Sequence, residues 1–187
     1  TKIMTLWIAA EEGNLSDVVE VRSEVIATIS KDAVSMDLKP SEILTLEDLL
    51  YGMMVGSAND AAAVIADHMA GSQAAFADKM NQYAQKAGCT HTNFVNAHGL
   101  QAENQYTTPR DVTRIIAAAA QNETFREIFG AVYYRMDDEQ GNAKRVMNTS
   151  NNLLDAESVY YDSRITGSRT SASSDGKRSV ASLAKEG

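Results

Sequence analysis

Leu44-Thr45-Leu46-Glu47-Asp48-Leu49-Leu50-Tyr51-Gly52, followed by Ser57-Ala58-Asn59-Asp60-Ala61-Ala62, is the stretch on which the reading of this chain turns. Thr45 to Asp48 has the form of a capping box, and Leu49, Leu50, Met53 and Met54 follow it at helical spacing. A helix is therefore expected to start there and to end near Gly56. Asn59 or Asp60 can cap the next run, 61–70, which Gly71 closes. Ser57 and Asn59 stand two apart in the turn between these helices, so both side chains can face one site.

Working outward, Ile3, Met4, Trp7 and Ile8 recur at helical spacing up to Gly13, and the chain opens on a helix already under way. Residues 17–27 are Val-rich and alternate, which reads as strand. Ser72 caps a longer helix carrying Phe76, Met80 and Tyr83 on one face and closed by Gly88. Thr108 before Pro109 marks another helix start, with an apolar stretch to Ala120. From Ala131 the character changes. Segments 132–136 and 144–147 flank an acidic, Gly-containing turn, and 169–173 faces 178–184 across Asp175-Gly176. The pattern is an α+β domain in which a helical region of about 45–130 is inserted between sheet-side segments.

At 187 residues and 44% hydrophobic composition the chain can bury one sizeable core, and a single domain over 1–187 is expected. A net charge of -8 argues against binding nucleic acid or an anionic membrane surface, which clustered Lys and Arg would favour. Cys89 is the single cysteine, so no internal disulfide can form, and no Cys/His cluster has metal-ligand spacing. No apolar run reaches the roughly 18 residues a membrane helix needs. Both ends read as cut: Thr1 has no initiator Met before it, and the chain stops just after a strand-like run.

Three short stretches carry chemistry: Thr1-Lys2 at the start of a helix, Ser57-Ala58-Asn59 before another, and Arg169-Thr170-Ser171 on a strand. In this order they resemble the Ser-x-x-Lys, Ser-x-Asn and Lys-Thr-Gly signatures of the penicillin-recognising acyl-serine enzymes. The flanking strings extend the likeness over almost the whole chain. They include the stretch quoted first, Thr92-Asn93-Phe94-Val95-Asn96, His98-Gly99-Leu100, Thr107-Thr108-Pro109-Arg110-Asp111, and Asn148-Thr149-Ser150-Asn151-Asn152-Leu153-Leu154. These resemble the serine-type D-Ala-D-Ala carboxypeptidases, the low-molecular-mass penicillin-binding proteins of peptidase family S11. The fold so implied is the penicillin-binding-protein and serine β-lactamase-like transpeptidase fold, with an antiparallel sheet packed against a helical subdomain and truncated at both ends.

The resemblance implies a serine hydrolase that removes the terminal D-Ala from peptidoglycan stem peptides through an acyl-enzyme. β-Lactam antibiotics would acylate it, no metal or organic cofactor is needed, and it would act outside the cytoplasmic membrane, where segments beyond these residues could anchor it. The nucleophilic Ser is expected two positions before Thr1. A Ser three residues before a Lys on one helix shares its face, so Lys2 can take the hydroxyl proton if burial lowers its pKa. Ser57 is expected to pass the proton to the leaving group, and Asn59 to hold the substrate's peptide. Arg169, Thr170 and Ser173 would anchor its terminal carboxylate, with the strand around Ser171 supplying an oxyanion-hole N–H.

The third motif departs from the family pattern. Arg169 stands for Lys, and Ser171 stands for the Gly that lets a backbone approach closely. A rival register, Ile165-Thr166-Gly167, would lose the cation. Two other readings follow. A class A β-lactamase would carry a Glu-x-x-Leu-Asn loop, and no such string occurs. A non-catalytic peptidoglycan-binding or regulatory relative on the same scaffold would tolerate the altered motif. His98 is expected to tie loops together, His68 and His91 to lie on the surface, and Met53, Met54, Met69 and Met80 to fill core.

Overall fold

The computed structural model describes residues 1–138, 140–172 and 176–185. Helix α1 (Lys2–Glu12) buries Met4, Leu6, Trp7, Ile8 and Ala9 and stops at Gly13. At Gly13 an added Cβ would meet Leu46 Cδ2 at 2.6 Å and the Ala9 carbonyl oxygen at 2.7 Å, so glycine is required by close approach. Strand β1 (Val18–Glu20) follows, then the short helix α2 (Ser23–Ile26).

Residues 17–27 are thus not one strand as expected. Val-rich composition favours extension, but after three residues Arg22 turns to pair with Asp67, with Nε to Oδ2 at 2.7 Å, and Val25 is buried from a helical turn. Tertiary packing overrides local propensity. β1 pairs antiparallel with β2 (Ile43–Thr45), Val19 opposite Leu44.

Helix α3 (Leu46–Val55) starts at the Thr45 and Asp48 capping box, with both reciprocal bonds formed. Helix α4 (Asn59–Ala70) has Ala58 at its N-cap, so the expected cap by Asn59 or Asp60 is not used. Both side chains lie inside the helix and bond to distant segments instead. Helices α5 (Gln73–Lys86), α6 (Pro109–Ala119) and α7 (Glu123–Gly130) are capped by Ser72, Thr108 and Asn122. The core gathers Phe76, Phe125, Phe129, Leu49, Leu50, Met53 and Ile65, all fully buried, around the alanine-rich face of α4.

Two further antiparallel ribbons complete the fold: β3 (Tyr133–Asp137) with β4 (Ala143–Asn148), and β5 (Ile165–Ala172) with β6 (Arg178–Ala184). Helix α7 touches α1, α3 and β5, and so joins the helical side to the strand side. The joint is tight because two glycines lack side chains. A Cβ at Gly130 would lie 2.5 Å from the Thr166 carbonyl oxygen, and one at Gly167 would lie 2.4 Å from Phe129 Cδ1.

Candidate active site

Lys2 occupies the first turn of α1, and its ammonium Nζ donates to Asn59 Oδ1 at 2.7 Å and to the carbonyl oxygen of His98 at 2.6 Å. Burial of the ammonium pushes its pKa down to about 8. Two acceptors without formal charge hold the cation, and among the described residues no carboxylate pairs with it. A lysine in that condition is available as a base near neutrality.

Asn59, 5% exposed at the start of α4, is used at both ends. Its Oδ1 accepts from Lys2, while its Nδ2 donates to the Val34 carbonyl oxygen at 2.8 Å. The backbone N–H of Asn59 donates to the same carbonyl at 2.9 Å. The amide can therefore sit only one way round, and Nδ2 keeps a second N–H for another acceptor. Ser57 lies two residues earlier, exposed and at φ 57°, in the left-handed region that disfavours side chains.

The 96–100 loop closes the other side of Lys2. Thr5 Oγ1 donates to the Ala97 carbonyl at 2.7 Å, and Gly99 N donates to Asn96 Oδ1 at 2.7 Å. His98 acts through its backbone oxygen, a contact that no sequence signal announced. Burial first, and the Lys2 charge second, lower the His98 imidazole to about 4, so the ring is neutral and its Nδ1 accepts from Leu100 N at 3.2 Å. His68 and His91 are exposed, as expected.

The strand side is arranged differently. Thr170 and Ser171 on β5 are exposed, and the Ser171 hydroxyl lies 2.7 Å from that of Ser179. Arg169 turns inward. Its guanidinium donates to the carbonyl oxygens of Ser168 at 2.6 Å, Ile128 at 3.2 Å and Ala131 at 3.3 Å, and lies 5.6 Å from the centre of the Phe129 ring. It thereby supplies the cation that the last turn of α7 lacks in its own sequence. Burial lowers its pKa to about 10, and its buried Nε has no hydrogen-bond partner among the described residues. Ser173 lies outside the described residues. Lys2 and Asn59 thus form one group, with Ser57 two residues before Asn59 in the chain, and Arg169, Thr170 and Ser171 lie on β5, with α7 in contact with both α1 and β5 and no hydrogen bond joining the two sets among the described residues.

The family of D-alanyl-D-alanine carboxypeptidases, peptidase S11, matches residues 1–186. This chain belongs to that family. Among curated relatives, D-alanyl-D-alanine carboxypeptidase DacC of Escherichia coli K12 is 39% identical over 120 residues, 60% of this chain and 30% of its own length. DacF of Bacillus subtilis is 27% identical over 190 residues, covering 100% of this chain and 47% of the relative. The chain therefore spans about a third to a half of the curated relatives it matches. The solved Streptomyces K15 DD-transpeptidase superposes with a TM-score of 0.86 at 27% identity, over 100% of this chain and 74% of that one. A D-alanyl-D-alanine carboxypeptidase from Mycobacterium tuberculosis shares the fold, with a TM-score of 0.83 at 24% identity, over 100% of this chain and 68% of that one. The α+β, penicillin-binding-protein-like fold expected from the motifs is the fold of this family member.

Proposed function

We propose that the chain is the catalytic part of a serine D-Ala-D-Ala carboxypeptidase that trims peptidoglycan stem peptides and is acylated by β-lactams. The observation that carries this reading is the buried Lys2 ammonium, held by Asn59 and His98 and lowered to about 8. The nucleophile is a Ser two positions before Thr1, on the same helix face as Lys2. Lys2, as the free amine, takes the hydroxyl proton while the oxygen bonds to the carbonyl carbon of the penultimate D-Ala. The peptide C–N bond then breaks, and the leaving amine receives its proton through Ser57. Water hydrolyses the resulting ester, releasing the shortened stem peptide and restoring the Ser hydroxyl.

The second N–H of Asn59 Nδ2 serves the substrate's backbone, and the exposed hydroxyls of Thr170 and Ser171 receive its terminal carboxylate, with Ser173 as a further hydroxyl. Arg169 contributes positive potential from beneath the strand. Its substrate is part of the cell wall, so the protein works on the outer side of the cytoplasmic membrane. Release of D-Ala from diacetyl-lysyl-D-Ala-D-Ala, together with labelling by a fluorescent penicillin, is the expected outcome for a polypeptide extended before Thr1. A residue other than Ser at the second position before Thr1, with neither release nor labelling, would overturn it.

One observation favours a second reading. The Lys-Thr-Gly motif is altered to Arg169-Thr170-Ser171, and the Arg169 guanidinium is engaged with backbone carbonyls. A peptidoglycan-binding relative without turnover would bind the same peptide and release no D-Ala.

A further inference from the structure

The segment 34–38 lies beside Asn59 and is gripped from both sides by charged groups. From α4, Asp60, 4% exposed, accepts the backbone N–H of Met36 at 3.1 Å on Oδ1 and that of Leu38 at 3.1 Å on Oδ2. Oδ2 also accepts the Ser35 hydroxyl at 2.6 Å, and Oδ1 the helix N–H of Ala61 at 2.9 Å. From β4, Arg145 Nε donates to the Met36 carbonyl oxygen at 2.8 Å and its Nη2 to that of Asp37 at 3.2 Å. Glu42 fixes the guanidinium with bonds of 2.6 and 2.9 Å, and Lys144 pairs with the same carboxylate at 2.6 Å.

A carboxylate thus takes the amides of the segment, and a guanidinium takes its carbonyls. Each charge meets the backbone groups of opposite polarity, and such charge-assisted bonds are stronger than neutral ones. The grip holds Asp37 at φ 59°, a left-handed conformation that a free Asp would leave. Met36 and Leu38 are buried beneath it, and Met36 lies where a side chain on Gly52 would collide, its Sδ 2.5 Å from such a Cβ.

What the segment presents to the site is the Val34 carbonyl oxygen, which takes both N–H groups of Asn59 named above. That carbonyl decides which way round the Asn59 amide sits, and Asn59 Oδ1 decides where Lys2 Nζ sits. We propose that Asp60 and Arg145 are positioning residues for the acylation chemistry, acting through the 34–38 segment and the Val34 carbonyl on Asn59 and thence on the Lys2 amine. This rests on the reading of Lys2 and Asn59 given above. Neither residue touches the reacting atoms, and Arg145 comes from a ribbon distant in sequence from both.

The test uses a polypeptide extended before Thr1, with Asp60→Ala, Arg145→Ala, Arg145→Lys and Ser35→Ala, and with Lys2→Ala as control. Stopped-flow labelling with a fluorescent penicillin separates its dissociation constant from the limiting acylation rate. Misplacing a catalytic group by about 1 Å costs on the order of a hundredfold in rate. Arg145→Ala is accordingly expected to slow limiting acylation by about tenfold to a hundredfold, while the dissociation constant stays within about threefold. Arg145→Lys should recover part of the loss, because one carbonyl bond and the charge remain. Should Asp60→Ala fail to fold, Ser35→Ala, which removes one of the four bonds to that carboxylate, carries the α4 side with a smaller loss of the same kind. Folded Arg145→Ala and Ser35→Ala proteins that acylate within twofold of the parent, beside an inactive Lys2→Ala, would overturn the positioning role alone. A Lys2→Ala protein labelled as fast as the parent would overturn the reading of the site, and the positioning role with it.

Discussion

The two halves of the site are built on opposite plans. On the helical side, Lys2 and Asn59 have their polar atoms assigned to fixed partners, and the backbone carbonyls of Val34 and His98 do the fixing. On the strand side, Thr170 and Ser171 stand open to solvent, and Arg169, the cation next to them on β5, faces inward to α7. The difference suits a division of labour. On the function proposed above, the proton-transfer group has its pKa and position set before substrate arrives, which burial achieves, whereas the strand that receives a peptide keeps its residues exposed. Helix α7 then matters as the spacer between them, and the Gly130 and Gly167 contacts fix its distance from β5.

The largest expected effect breaks the helical half. Lys2→Ala should abolish labelling by a fluorescent penicillin, a loss of about 10² to 10⁴ in rate, with the melting temperature nearly unchanged because the cost of burying the cation disappears with its bonds. Unaltered labelling would remove Lys2 from the chemistry. Next in size is Arg169→Ala on the strand half, which takes away positive potential and three carbonyl partners at once. Its kcat/KM for diacetyl-lysyl-D-Ala-D-Ala should fall by about tenfold to a hundredfold, roughly 1.4 to 2.7 kcal/mol, and the melting temperature should fall as well. A protein with parental peptide cleavage would show that the strand needs no cation.

A pH profile sharpens the contrast. With Lys2 near 8, the acylation rate should climb about tenfold from pH 7 to a plateau above 9, as the amine loses its proton. Linkage gives the same residue a stability signature. Its folded value of about 8 lies below the ordinary 10.5, so between those values the unfolded chain binds more protons, and the Lys2 contribution to stability improves as pH rises through that window. A flat rate profile from pH 7 to 9 would contradict the assignment. The smallest effect is a gain: Arg169→Lys with Ser171→Gly should raise kcat/KM, by about tenfold if roughly 1.4 kcal/mol of transition-state binding is recovered. No gain would mean that the altered motif is already adapted to its substrate.

Much of this was legible in the sequence where the signal is local. Thr45 with Asp48, Ser72, Thr108 and Pro109 start helices where the capping rules put them, because a cap involves residues only a few positions apart. The family strings brought Lys2, Ser57 and Asn59 to notice. The misses are non-local. Asn59 and Asp60 look like caps in sequence, yet they bond across 57 and 22 to 25 positions, to Lys2 and to the 34–38 segment. Val-rich 17–27 was expected to stay extended, but Arg22 pairs with Asp67 on α4 and the chain turns into α2. Arg169 was expected to anchor the substrate's terminal carboxylate. Its inward turn depends on Phe129 and the carbonyl groups at the end of α7, which no strand pattern can reveal.

The left-handed φ of 57° at Ser57 has an evolutionary corollary. A side chain in that region costs about 1 to 2 kcal/mol relative to glycine, so the position sets heat tolerance against the hydroxyl. A library selected only for survival at high temperature should drift toward glycine there. The same library selected for capture by penicillin should keep serine, and the divergence of the two populations at this one codon would measure what the hydroxyl is worth to acylation against its cost in stability.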